Sequence, residues 1–188
     1  MNKTYIIYLA SGNSRRFKEN KLLFPFQNKL LYQHALDLIL KEYDHVIVVS
    51  QYDEILQYAS QRGATSILCL DSIHGLSYSI KAAVNYLNTL EKPFRMIFMV
   101  ADQPYISMNT IDKLMHTKHK LASCAYKDKV GNPTLFDSSY IPELVLLKQD
   151  QGGRKVLNKH PDEVEYIQVE NVRELYDIDY QEDLKQLQ

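Results

Sequence analysis

What most constrains this chain is a repeated alternation, over its first two-thirds, of short and nearly all-apolar runs with stretches of helical periodicity. Residues 5–10 (YIIYLA), 45–50 (HVIVVS), 66–70 (SILCL) and 96–101 (MIFMVA) read as strands. Runs with so little polar interruption fit strands buried on both faces, as in a parallel sheet. Between them Leu31, Ala35, Leu38 and Ile39 recur at helical spacing, as do Leu76, Ile80, Ala83, Val84, Leu87 and Leu90. Each set puts one apolar stripe on a crossover helix. A β-α-β-α order connected right-handedly predicts an α/β fold: a three-layer, Rossmann-like, mainly parallel sheet with helices on both faces.

Beyond residue 120 the pattern loosens. Residues 121–126 and 164–169 read as strands, 139–147 and 154–159 as helices, and 181–187 as a closing helix. No repeat or low-complexity linker interrupts the chain, so residues 1–188 are expected to form a single domain, as length also suggests. With 45% hydrophobic residues a core is available, which argues against disorder. Twenty-two basic against 23 acidic residues give a net charge of -1, so binding to nucleic acid by bulk charge is not expected. Cys69 and Cys124 sit in apolar runs without metal-ligand spacing and read as reduced core residues. The N-terminal apolar stretch is too short for a signal-peptide core, and no segment approaches the roughly 18 apolar residues that span a bilayer. The expectation is a soluble, cytoplasmic protein with no membrane partner.

The glycines are informative because there are only 6. Gly63, between a helix and a strand, fits a helix C-cap. Gly12, Gly75 and the loop 102–104 all fall where a strand has ended and its helix has yet to begin. In open α/β sheets that edge is where ligands bind. The first such loop, residues 9–21 (LASGNSRRFKENK), contains neither GxxxxGK followed by Ser or Thr nor GxGxxG. A different phosphate device is therefore implied: backbone N–H groups of a small-residue turn, with Arg16 and Lys21 supplying cations. On composition alone, a solvated basic loop is the competing reading.

The same loop resembles the LAAGxSxRFGxxK signature of the molybdenum cofactor nucleotidyltransferases, within the wider glycosyltransferase-A-like nucleotidyltransferase superfamily. Further segments match in order. His74-Gly75-Leu76-Ser77-Tyr78-Ser79-Ile80 resembles G-x-S-x-S followed by Ile or Leu, and Ala101-Asp102-Gln103-Pro104 resembles a metal-binding ADQP. Gly131-Asn132-Pro133 resembles G-H/N-P, and Asp150-Gln151-Gly152-Gly153-Arg154 resembles D-x-G-A/G-R. Asp177-Ile178-Asp179, with Glu182-Asp183-Leu184, resembles D-I-D-T-x-E-D-L. The branch that this chain resembles most is molybdenum cofactor cytidylyltransferase, which joins CMP from CTP to molybdopterin and releases pyrophosphate.

That resemblance implies a division of labour. In-line attack on the α-phosphorus needs positioning and charge neutralisation rather than covalent catalysis. Mg2+, or Mn2+ in its place, meets that need. Asp102, at the carboxyl edge of a buried strand, is the expected metal ligand, with a turn or cap before Pro104 as its other reading. Asp177 and Asp179 alternate about Ile178 and so share a face of an extended segment, and one of them is the expected second ligand. Capping of the last helix by Asp179 is the alternative. The expected catalytic set is Arg16, Lys21 and Asp102.

By resemblance, Leu9, Ala10, Ser11, Gly12, Arg16, Lys21, Gly75, Ser77, Ser79 and Asp102 bind the nucleotide, though both serines could equally be ordinary first-turn helix residues. Gly131, Asn132, Pro133, Asp150, Gly152, Gly153 and Arg154 look like the acceptor side, where the Arg154 guanidinium would grip a phosphate. A plain surface turn is the other reading of 150–153. The histidines form no spaced ligand set.

The sequence departs from the family pattern at four positions. Ser11 stands where the cytidylyl branch has alanine and the guanylyl branch glycine; Lys18 and Gln149 replace glycines, and Tyr180 replaces a threonine. CTP is the favoured nucleotide, molybdopterin the favoured acceptor and a molybdenum hydroxylase a candidate recipient. Two other readings stand beside this one: a sister nucleotidyltransferase using GTP or a sugar or polyol phosphate, and a cofactor escort that does not turn over.

Overall fold

The computed structural model describes residues 3–12, 17, 20–180 and 182–183. Strands β1 (Lys3–Leu9), β4 (Val46–Ser50), β5 (Thr65–Leu68) and β6 (Phe94–Val100) belong to one seven-stranded sheet. So do β7 (Leu121–Tyr126), β8 (Lys129–Asp137) and β9 (Val164–Gln168), and the spatial order is β5-β4-β1-β6-β8-β7-β9. β1 pairs in parallel with β4 on one side and β6 on the other, with Ile6 opposite both Val46 and Ile97. Among the described strands of this sheet only β8 runs antiparallel to its neighbours, β6 and β7. The mainly parallel sheet expected from the sequence is therefore present.

Successive side chains of each strand enter opposite layers. Ile6 and Tyr8 join the cluster containing Leu36 and Ile39 of α1 (Gln33–Glu42), Ile55 of α2 (Asp53–Ser60) and Ile111 and Leu114 of α4 (Met108–His116). Tyr5, Ile7 and Leu9 join the other cluster. It holds Ile80, Val84 and Leu87 of α3 (Leu76–Leu87), Leu144 of α5 (Ile141–Leu144) and Val156 of α6 (Arg154–Leu157). Cys69 and Cys124 are buried and unpaired, and burial pushes both thiols up. Gly63 follows α2 at φ +90, where a Cβ would be strained, and Ala64 N donates to Ala59 O to close that helix end.

The less regular elements differ from expectation in extent. The helix expected at 139–147 is a 3-10 turn (Ser138–Tyr140) running into the four-residue α5, and that at 154–159 is the four-residue α6. β8 and the small hairpin of β2 (Pro25–Phe26) and β3 (Lys29–Leu30) add strands that no apolar run announces. β8 opens on Lys129-Val130-Gly131-Asn132-Pro133, whose glycine and proline read as a loop. The closing helix expected at 181–187 lies outside the described residues except for Glu182 and Asp183. No helix among the described residues is long and apolar enough to cross a membrane.

Candidate active site

Strand order reverses between β1 and β6, and their carboxyl ends form the crevice where an open α/β sheet binds ligands. A cavity of about 400 Å3 lies there. It is lined by Leu9, Ser11, Gly12, Lys21, Ser72, Gly75, Ser79, Ala101, Asp102 and Asp150. The first, second and third polar loops thus converge on one rim.

Lys21 begins a 3-10 turn (Lys21–Leu23) fixed by Asn20, whose side-chain oxygen accepts from Leu22 N. Its ammonium is buried and donates to Asp102 Oδ2 at 2.7 Å, to Ile178 O at 2.7 Å and to Asp179 Oδ1 at 3.1 Å. Burial alone would lower the Lys21 pKa, but the charges and hydrogen bonds of Asp102 and Asp179 outweigh it and hold the amine charged. The C-terminal segment is tied to the same point, because Ile178 N donates to Asp102 O at 3.0 Å.

Asp177 faces the other side of this segment, where it accepts from the buried Gln103 Nε2 at 2.8 Å. Burial, then the nearby Asp102 charge, pushes the Asp177 carboxyl up to about 6. Among the described residues no three His, Cys, Asp or Glu side chains converge tightly enough to hold a metal ion by themselves. Asp102, Asp177 and Asp179 therefore do not form one cage: the Lys21 ammonium stands between Asp102 and Asp179. One observation nevertheless fits a divalent cation. Among the described residues Asp102 Oδ1 is buried with no hydrogen-bond partner, a costly state for a carboxylate oxygen unless a ligand takes it. Mg2+ typically takes one or two carboxylates and completes its shell with phosphate and water.

A second cavity of about 280 Å3 lies beyond Gln103 and Asp177. Gly131, Asn132 and Arg154 line it together with Ser123, Lys129 and Thr134. These residues from the expected acceptor motifs do come together. The rest of that set is placed differently. Pro133 is buried within β8, and Asp150 lines the first cavity. Gly152 and Gly153 line neither cavity; a Cβ on them would meet Leu76 and the Phe136 ring at 2.9 Å, so their smallness serves packing.

Within the expected nucleotide set, Ser79 lines the first cavity while Ser77 is wholly buried with its hydroxyl unpartnered. Ala10 is buried behind the rim. Arg16 lies outside the described residues.

Gly75 has φ +134, and a Cβ there would sit 2.3 Å from the Gln149 carbonyl carbon. Gln149 O in turn accepts from Ser77 N at 2.9 Å, closing the loop before Asp150 over the start of α3. Gln149 itself has φ +51, which explains in physical terms why a glycine suits that position.

Several contributors were not singled out from the sequence. Gln103 orients Asp177, and Lys129, whose ammonium lies 4.5 Å from the Tyr176 ring centroid, adds a cation to the second cavity. Ser50, Gln51 and Tyr52 contact the loop after β1 from the end of β4. Their signal was positional: all three follow a strand at the sheet's carboxyl edge.

A model of the MobA-like NTP transferase domain matches residues 6–164. The purine catabolism protein PucB of Bacillus subtilis is 26% identical over 170 residues, covering 84% of this chain and 82% of PucB. Among solved structures, Rv0371c of Mycobacterium tuberculosis superposes with a TM-score of 0.82 at 21% identity, covering 99% of this chain and 97% of its own. A second structure of Rv0371c is a complex with manganese and superposes at 0.77. The molybdopterin-guanine dinucleotide biosynthesis protein A of Archaeoglobus fulgidus superposes at 0.67 with 20% identity, covering 97% of this chain and 95% of its own.

Proposed function

We propose that this chain, which belongs to the MobA-like NTP transferase family, transfers CMP from CTP to molybdopterin with release of pyrophosphate. The observation that carries the reading is the Lys21 cluster. A buried ammonium is held against Asp102 and Asp179 at the rim of a nucleotide-sized cavity, beside a buried Asp102 oxygen that lacks a partner.

The reaction is an in-line displacement. A phosphate oxygen of the acceptor forms a bond to the α-phosphorus, the bond from that phosphorus to the oxygen bridging to the β-phosphate breaks, and pyrophosphate leaves with the electron pair. Lys21 and Arg16 neutralise the triphosphate, and the main chain of Ser11 and Gly12 binds it. Asp102 would hold the divalent cation, with Asp177 or Asp179 the candidate for a second oxygen once freed from Gln103 or Lys21. Bound Mg2+, or Mn2+, supplies charge neutralisation at the phosphate oxygens. Arg154 and Lys129, in the second cavity, grip the acceptor phosphate.

The test is product identity. Protein, Mg2+ and molybdopterin are incubated with CTP, GTP, ATP or UTP, and the products are resolved by mass spectrometry. A cytidine dinucleotide from CTP alone supports the proposal. A guanosine dinucleotide reassigns the base, and a nucleotide product formed only with a sugar or polyol phosphate reassigns the acceptor. Tight retention of the finished cofactor without turnover supports the escort reading instead.

A further inference from the structure

The carbonyls of Ala10, Ser11 and Gly12, three residues in succession, are each taken by a side chain of three residues in succession at the end of β4. Ser50 Oγ donates to Ala10 O at 2.7 Å, Gln51 Nε2 to Ser11 O at 2.8 Å and Tyr52 OH to Gly12 O at 3.0 Å. Ser50 Oγ also accepts from Tyr52 N at 3.0 Å, which ties two of the three donors to each other.

This pattern departs from a strand. In a parallel strand successive carbonyls alternate between the two neighbours: Leu9 O accepts from Ala101 N on the β6 side, and Ala10 N donates to Val49 O on the β4 side. Continued alternation would send Ser11 O back toward β6. Instead Gln51 draws it to the β4 side, next to Ala10 O.

The peptide group is planar and trans, so the C=O of one residue and the N–H of the next point in opposite directions. Carbonyls of Ala10 and Ser11 directed at β4 therefore direct the N–H groups of Ser11 and Gly12 away from it. That is the side of β6, where Ser11 and Gly12 line the cavity with Ala101 and Asp102. Successive N–H groups turned to one side make a concave anion receptor.

We infer that Gln51 is a positioning residue: by holding the Ser11 carbonyl it aims the Gly12 N–H at the bound triphosphate, beside the Ser11 N–H set by the Ser50 bond to Ala10 O, while Tyr52 secures the same turn at the Gly12 carbonyl. The inference rests on the nucleotidyltransferase reading for the identity of the anion, but the clamp itself can be observed without any ligand. Neither Gln51 nor Tyr52 lines the cavity.

The test uses the full chain with Gln51→Met, which keeps the length and removes the donor, with Tyr52→Phe, which removes one hydroxyl, and with the double variant. Without nucleotide, hydrogen exchange is followed at the Ser11 and Gly12 amides; with Mg2+ and CTP, binding and turnover are measured. Each lost bond should raise the CTP dissociation constant and KM about tenfold. In the variants kcat should stay within about threefold, and in Gln51→Met exchange at the Gly12 amide should quicken while the core amides of β1 are unchanged.

Unchanged exchange at Gly12 in Gln51→Met would overturn the clamp. Faster exchange with unchanged CTP affinity would overturn its role in positioning. If the unaltered protein bound no nucleoside triphosphate, the nucleotidyltransferase reading and the positioning role would fall together, while the exchange data would still decide whether the clamp orders the loop.

Discussion

The Lys21 ammonium lies 2.7 Å from Asp102 Oδ2, joining the loop after β1 to the end of β6 across 81 residues of sequence. The same nitrogen donates to Ile178 O, so one cation fastens three chain segments at the sheet's carboxyl edge. Its removal takes the ammonium from between Asp102 and Asp179. Lys21→Met should therefore cost about 3 kcal/mol of stability, the low end for a broken buried pair because Asp179 is half exposed. That corresponds to roughly 5–10 °C in Tm, read by thermal unfolding. Pyrophosphate release should fall by at least about 100-fold, as for loss of a charge-stabilising group in other active sites.

Gly75→Ala should be more damaging than a surface glycine change. Its φ of +134 is strained for any side chain, and the new Cβ would collide with Gln149 backbone rather than with a side chain that can turn away. The loop that brings Asp150 to the cavity would have to move. We expect a stability loss of about 2 kcal/mol or more in denaturant unfolding, together with weaker CTP binding. Gly12→Ala, where no atom of the described residues lies within 4 Å of an added Cβ, is the steric control for stability.

Gln149→Gly tests the same loop in the opposite sense. Gln149 holds φ +51, a conformation that costs a non-glycine residue about 1–2 kcal/mol. Glycine gives back part of that through the greater freedom of its unfolded chain. The net expectation is a gain of up to about 1 kcal/mol, seen as a higher denaturant midpoint with an unchanged slope.

His160 carries a pH prediction away from the site. Its Nε2 lies 2.7 Å from Glu143 Oε1 and its Nδ1 3.2 Å from Glu163 Oε1. The hydrogen bond to Glu143, outweighing the opposing effect of burial, raises the His160 pKa above 6.5. For Glu143, burial opposes ionisation but the bonds from His160 and Lys159 win, holding its carboxyl below 4.5. A raised histidine stabilises below its unfolded pKa and loses that contribution as pH rises through the folded value. A depressed glutamate stabilises above its unfolded pKa and loses the contribution as pH falls through the folded value. The cluster therefore contributes most between about 4.5 and 6.5. His160→Gln should lower Tm more at pH 5.5 than at pH 8.5; equal losses at both pH values would mean that the ring acts only by packing on Tyr140.

The parallel half of the fold was legible because its strands are buried on both faces and its helices carry one apolar stripe. Residues 96–101 could hardly be anything but a central strand, and Asp102 inherited its place from that strand's end. β8 was not legible, since Gly131 and Pro133 interrupt it and its pairing with β6 and β7 is decided by tertiary contact. The site shows the same division. Lys21, Asp102 and Ser79 followed from motif and edge position, whereas the placement of Asp150 in the first cavity depends on how the 149–150 backbone lies over Gly75. Gln51 and Tyr52 escaped notice because they act on main-chain carbonyls, and no residue pattern marks a carbonyl that needs a donor.

The central claim, that Asp102 and Lys21 serve nucleotidyl transfer from CTP, is tested most directly by pyrophosphate release with Mg2+ and molybdopterin, comparing the unaltered protein with Asp102→Ala. Release by the unaltered protein, lost on adding EDTA and reduced at least about 100-fold in the folded Asp102→Ala variant, is the predicted result. Equal release by both proteins, or none by the unaltered protein under conditions where it binds CTP, would contradict it.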